Sequence, residues 1–137
     1  MTTYRGIKGL GIQSVTSDAI ASQAAGGAWA SGGAMNTGRA YMGGAGSQTA
    51  GLVYGGAVAA VTANTETYNG SSWTEVGDLN VAKYGFQGAG TTTAGIVFAG
   101  ANASDGLLDT AETYNGTSWT ETHDLNTARF RHGGSPQ

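Results

Sequence analysis

Apolar positions along this chain fall in short runs that glycine interrupts. Leu52-Val53-Tyr54 and Ile96-Val97-Phe98 are two such runs, each entered and left by small residues. A short continuous apolar run bounded by glycine predicts a strand, here one buried on both faces. Around each run the pattern predicts three more strands. Strand a covers 39–46, then 83–90, then a truncated 129–134. Strand b is the apolar run, 51–54 and 95–98. Strand c covers 65–68 and 110–114. Strand d covers 72–76 and 118–122, with 28–31 as an earlier copy lacking its partners. Glycines along strands a and b predict close approach of neighbouring backbones.

Between strands c and d stand Asn69-Gly70 and Asn115-Gly116. Asn-Gly favours the two positive φ values of a type I′ hairpin. A two-residue loop pairs Tyr68 with Ser71 and Glu66 with Trp73. Glu66, Tyr68 and Trp73 then share one face, as do Glu112, Tyr114 and Trp119 in the next copy. That face is expected to pack against the following unit.

The pattern repeats. Residues 65–82 and 111–128 are identical at 13 of 18 positions, at an offset of 46. Residues 49–56 and 93–100 match at an offset of 44, so 101–109 is expected to carry a two-residue loop insertion. Trp29 and Met35-Asn36 precede Trp73 and Leu79-Asn80 by the same 44. The chain therefore divides into an N-terminal segment, 1–26, and a repeat region, 27–137. The latter holds units at 39–76 and 83–122 and the start of another at 129–134. A period of about 45 residues in four short strands is the signature of all-β propeller blades.

Composition sharpens this. Of 137 residues 25 are glycine and one is proline, without a three-residue period, which excludes collagen. There is no cysteine, so neither disulfides nor thiolate metal sites arise. Six Lys and Arg against nine Asp and Glu give a net charge of -3 and no basic stripe, which argues against nucleic acid as a partner. No apolar run approaches a membrane span, and the first residues do not read as a signal peptide.

The residues also carry a resemblance. A basic residue opens strand a, and Gly-Gly closes strand b. Tyr-Asn-Gly makes the c–d turn, Trp opens strand d, and Asp124-Leu125-Asn126-Thr127-Ala128-Arg129 leads into the next unit. This resembles the kelch motif of galactose-oxidase-type propellers, although animal kelch repeats usually carry Tyr-Asp where Tyr-Asn stands here. More narrowly, it resembles the kelch-like repeats of marine bacteriophage structural proteins. The opening Tyr4-Arg5-Gly6-Ile7-Lys8-Gly9-Leu10-Gly11-Ile12-Gln13-Ser14-Val15-Thr16-Ser17-Asp18 is similar to the start of such proteins. The resemblance implies four-stranded antiparallel blades and a non-enzymatic, virion-associated structural or adhesion role. A carbohydrate-binding, lectin-like propeller is the alternative, with a glycan or another virion protein as partner. Copper chemistry of the galactose-oxidase kind does not carry over, since the cysteine is missing.

Rings close with about 4–8 blades. Two whole blades leave faces and edges exposed, so the ring is expected to be completed by other copies. If residues 4–16 supply inner strands, each chain is worth three blades and a twofold dimer gives six.

Candidate chemistry is sparse. Glu66 and Glu112 are two carboxylates, but they recur at equivalent positions, which predicts a structural role rather than acid–base catalysis. Asp78 and Asp124 are expected in turns. Arg39, Lys83 and Arg129 are expected to bridge between blades to Glu66 or Glu112. His123 and His132 stand where the other repeat has Gly77 and Phe86, so neither reads as a metal ligand, and no cofactor is expected. Trp73 and Trp119 are expected to pack rather than to stack on a sugar. Asn69, Asn102 and Asn115 match the glycosylation pattern but read as turn residues. Gly43-Gly44-Ala45-Gly46 lacks the lysine of a phosphate loop.

Overall fold

The structure, a computed structural model, describes residues 31–131. The expectations for 1–26 and 28–30 and for 132–134, His132 included, lie outside those residues. Within them the chain forms eight strands and no helix. The strands are β1 (Gly43–Ser47), β2 (Ala50–Tyr54), β3 (Thr65–Tyr68), β4 (Trp73–Val76), β5 (Gln87–Gly90), β6 (Gly95–Phe98), β7 (Ala111–Tyr114) and β8 (Trp119–Glu121). They make two four-stranded antiparallel sheets, β1-β2-β3-β4 and β5-β6-β7-β8, each in sequence order. The all-β class and the grouping into two consecutive four-stranded units are as the repeat predicts.

Strand a starts later than expected. Residues 40 and 84 make single bridges, to Ala57 and Ala101, and the ladders begin only at Gly43 and Gln87. The interruption is conformational. Tyr41 and Gly85 stand at equivalent positions in left-handed backbone, with φ of 56° and 60°, and such a residue cannot continue a strand. Arg131 repeats it with φ of 49°. Arg131 N–H donates to Gly85 O at 2.9 Å and Gly85 N–H to Tyr41 O at 3.2 Å, so these residues link consecutive repeats. Residues 129–131 are accordingly outside any strand.

The c–d hairpins also differ. Tyr68 pairs with Trp73 and Glu66 with Glu75, so the loop holds four residues rather than two. Tyr114 likewise pairs with Trp119. Asn69 does not take positive φ, although Gly70 does, at 94°. Its side chain acts instead: Oδ1 accepts the Ser71 and Ser72 N–H groups, both at 2.9 Å. Asn115 does the same for Thr117 and Ser118, with Gly116 at φ 97°. The slip is two residues, so Glu66, Tyr68 and Trp73 still share a face.

The sheets pack face to face. Leu52, Tyr54 and Thr65, on one face of the first sheet, meet Val97, Tyr114 and Trp119 on the opposite type of face of the second. Tyr54 lies 4.8 Å from Trp119 and stacks at 5.7 Å on Phe86, centroid to centroid. The Glu-Tyr-Trp face of the second sheet therefore covers the preceding sheet, not the following one. Strand b is not buried on both faces either. Leu52 and Tyr54 are buried while Val53 is only half-buried, and in β6 Val97 is buried while Ile96 is exposed. Each apolar strand has one face in the interface and one looking outward, which a continuous apolar run does not disclose.

The predicted insertion is where the offsets place it. Ala57 bridges Val61, whereas Ala101 bridges Leu107, so the extra two residues lie within a turn that Asn102 organises. Its Oδ1 accepts the N–H groups of Ser104 at 2.9 Å and Gly106 at 3.0 Å.

Candidate functional site

The polar side chains buried in each sheet form one repeated device. Glu66, 1% exposed, points from β3 at the segment leading into β1. Its Oε2 accepts the Asn36 N–H at 2.7 Å and Asn36 Nδ2 at 3.0 Å. Its Oε1 accepts Arg39 Nη1 at 2.7 Å and the Thr37 N–H at 3.4 Å. In the second sheet Glu112, 0% exposed, repeats this. Oε2 accepts the Asn80 N–H at 2.7 Å and Nδ2 at 3.0 Å, and Oε1 accepts the Val81 N–H at 3.4 Å and Lys83 Nζ at 2.9 Å. Asn36 and Asn80 also reach the carbonyls of Trp73 and Trp119. Each cage thus ties strand d of a sheet to the chain entering its strand a.

A buried carboxylate needs charge and hydrogen bonds to compensate lost hydration. Burial pushes the Glu66 carboxyl up. The Asn36 N–H, the Arg39 guanidinium and the Thr37 N–H outweigh it and hold the group below its ordinary value. Such a carboxylate is a poor proton shuttle. Arg39 and Lys83 pair with the expected glutamates, but within their own sheets rather than between sheets. The reach is short there because β3 and β7 are central strands beside which the incoming chain runs. The asparagines were not anticipated, although Asn36, Asn80 and Asn126 all stand three residues before a basic residue.

The remaining candidates separate clearly. Trp119 is 5% exposed, and its Nε1 donates to Thr65 Oγ1 at 3.0 Å. Trp73 is half-buried, and its Nε1 donates to Gly33 O at 2.9 Å. Trp119 packs tilted on its cross-strand Tyr114 at 5.0 Å, and Trp73 on Tyr68 at 4.9 Å. Asp78 does not make a local turn: its Oδ1 accepts the Thr65 N–H at 3.0 Å, across the sheet. Asp124 and His123 are exposed loop residues. All three asparagines of the glycosylation pattern hold turns through their side chains. Gly43 and Gly44 lie in β1, not in a loop. Among the described residues no group of acidic or histidine side chains is arranged to hold a metal ion.

Two surfaces stand apart from the cages. One is a groove on the outward face of the second sheet, lined by Ala89, Ile96, Phe98 and Thr113. The other is aromatic. Tyr84 sits edge-on between Tyr41 at 6.2 Å and Phe130 at 5.3 Å. Arg131 lies over Phe130 at 4.9 Å and over Tyr41 at 5.6 Å, and Tyr84 Oη donates to Asp105. Tyr41 is 59% exposed.

No protein-family model matches the chain, and no curated protein matches it.

Proposed function

We propose that this chain is a non-enzymatic structural or adhesion module, a kelch-like set of propeller blades completed into a ring by further copies and associated with a virion. The carrying observation is the sheet-on-sheet contact. One sheet offers an apolar strand-b face to the Glu-Tyr-Trp face of the next. Among the described residues neither sheet's other face is covered by a further sheet, so the same type of contact can be made again at both sides. The repeated carboxylates support this reading, because both are consumed in holding a sheet to its incoming chain. Light scattering is expected to return a multiple of the chain mass; a strictly monomeric mass at every concentration overturns the assembly.

The aromatic cluster of exposed Tyr41 and half-buried Tyr84 and Phe130, with Arg131 and Asp105 beside it, favours a second reading. Aromatic rims flanked by charged hydrogen-bonding groups suit sugar rings, and an assembled ring would multiply weak sites. Saturable binding to defined glycans on an array, lost in Tyr41→Ala, supports a lectin. An array without binding removes this reading.

A further inference from the structure

The segment entering each strand a occurs three times: Asn36-Thr37-Gly38-Arg39, Asn80-Val81-Ala82-Lys83 and Asn126-Thr127-Ala128-Arg129. The first two grip Glu66 and Glu112. The third is docked by the same backbone contacts. Gly100 N–H donates to Arg129 O at 2.9 Å, as Gly56 N–H does to Lys83 O at 2.9 Å. Yet Asn126, Thr127 and Arg129 are exposed, and among the described residues the guanidinium Nε donates to Thr127 O alone, at 3.3 Å. Among the described residues no carboxylate is paired with Arg129.

We infer that Asn126, Thr127 and Arg129 form a carboxylate-binding site, and that its ligand is Glu66 of a second copy of this chain. The inference rests on the assembly reading above and names the contact that makes it. The donor set is the one that already holds a glutamate twice. Its sequence matches the Glu66 cage rather than the Glu112 cage, with Thr127 and Arg129 standing as Thr37 and Arg39 do. The one change is Ala128 for Gly38, and a methyl at Gly38 would meet no heavy atom within 4 Å. Residues 126–129 can therefore replace 36–39 without a clash. Glu112 is no alternative ligand, because its face is closed under the first sheet of its own chain. Among the described residues no sheet covers the Glu66 face, where Trp73 and Tyr68 are half-buried. The adjoining face in the first copy presents Ile96, 37% exposed, where Leu52 receives Trp119's sheet.

One consequence separates this contact from simple docking. A second copy seated on that face brings its own 36–39 to the place that 126–129 occupy. The two equivalent segments exclude each other, so Arg129 must displace Arg39 of the second copy from Glu66. Exchange of equivalent segments is a low-cost route to closed dimers.

The test is the mass of the full chain over a concentration series, with folding checked by circular dichroism. Loss of a charge-assisted carboxylate contact is worth roughly 10- to 100-fold in affinity. Arg129→Gln is expected to weaken association by that factor, and Asn126→Ala to weaken it in the same direction. Arg39→Gln removes the competitor and is expected to strengthen association. Wild-type assembly that persists unchanged in Arg129→Gln and Asn126→Ala overturns the site but leaves assembly standing on another surface. Weakening by Arg39→Gln in a folded protein overturns the exchange. A monomeric wild type overturns both the site and the assembly reading. Should Arg39→Gln fail to fold, Asn126→Ala and Arg129→Gln still decide the site.

Discussion

Gly44 and Gly88 occupy the same place in β1 and β5, and their surroundings differ completely. A methyl on Gly88 would collide with Tyr54 Oη and the Ile96 carbonyl oxygen, whereas on Gly44 the nearest heavy atom would lie 3.5 Å away. Neither takes positive φ, so the difference is packing alone. Gly88→Ala is expected to cost about 1–3 kcal/mol as overpacking. Gly44→Ala is expected to be neutral or to stabilise by about 0.4–1 kcal/mol, through the unfolded chain. Urea unfolding of the two variants checks the contrast, and equal effects would show that the second sheet does not sit on Tyr54. Glu66 makes the stability of the first sheet depend on pH. Its folded carboxyl lies below the ordinary value of 4.5 despite burial, because Asn36, Arg39 and Thr37 stabilise the charge. On acidification the unfolded chain therefore takes up the proton first. The stability contributed by this carboxylate is complete above about pH 4.5 and is lost as pH falls through the lower folded value. Glu66→Gln should flatten the acid limb of the unfolding midpoint against pH. An unchanged limb would mean that the cage does not hold the charge in solution. Tyr54, by contrast, is pushed up to about 12 by burial alone and stays neutral over this range.

The two hairpins are nearly identical in sequence but not in burden. Trp119 lies beneath Tyr54 and donates to Thr65, while Trp73 is half-buried and reaches only a carbonyl of the incoming chain. Trp119→Ala is expected to cost about 3–5 kcal/mol, and Trp73→Ala distinctly less, as read by thermal unfolding of dilute protein. Equal costs would remove the asymmetry between a covered and an uncovered copy of one motif. These hairpins also show what was legible. The existence of the strands and the shared face of Glu66, Tyr68 and Trp73 followed from periodicity and the Asn-Gly pair, whereas the four-stranded antiparallel grouping was only what the family resemblance implied. The register followed from neither. Asn can serve such a turn through left-handed backbone or through its side chain, and residue type alone does not choose. Asn69 and Asn115 use the side chain, which lengthens the loop by two residues and preserves the face. The delayed start of β1 was hidden for a related reason. Gly85 signals left-handed backbone, but Tyr41 adopts it at the equivalent position without the glycine. The cages were half legible. Glutamate and base were paired in advance, yet the asparagines escaped because their donors close the cage across the sheet, far along the chain.

At the scale of the whole molecule, the feature least visible beforehand was direction. Alternation gives each strand two faces but does not say which neighbour each face meets. Tyr54, Trp119 and Thr65 fix it: the strand-b face of one sheet receives the Glu-Tyr-Trp face of the sheet that follows. Leu52 and Ile96 are equivalent residues on that type of face, the first 0% and the second 37% exposed. Leu52→Asp buries an unpaired charge and is expected to prevent folding. Ile96→Asp places its carboxylate in the open groove and should shift stability by no more than about 0.5 kcal/mol. If the groove is where a second copy seats, the same charge must be desolvated on association, opposite the Gly51 and Val53 side of the incoming sheet. Ile96→Asp should then leave the unfolding midpoint of dilute protein near that of the wild type while driving the concentrated protein to monomer. A variant that unfolds like Leu52→Asp would mean that the groove is already covered within one chain. A variant that folds and associates normally would move the assembly contact elsewhere. The outcome thus distinguishes a face that belongs to the monomer from one that the assembly must complete.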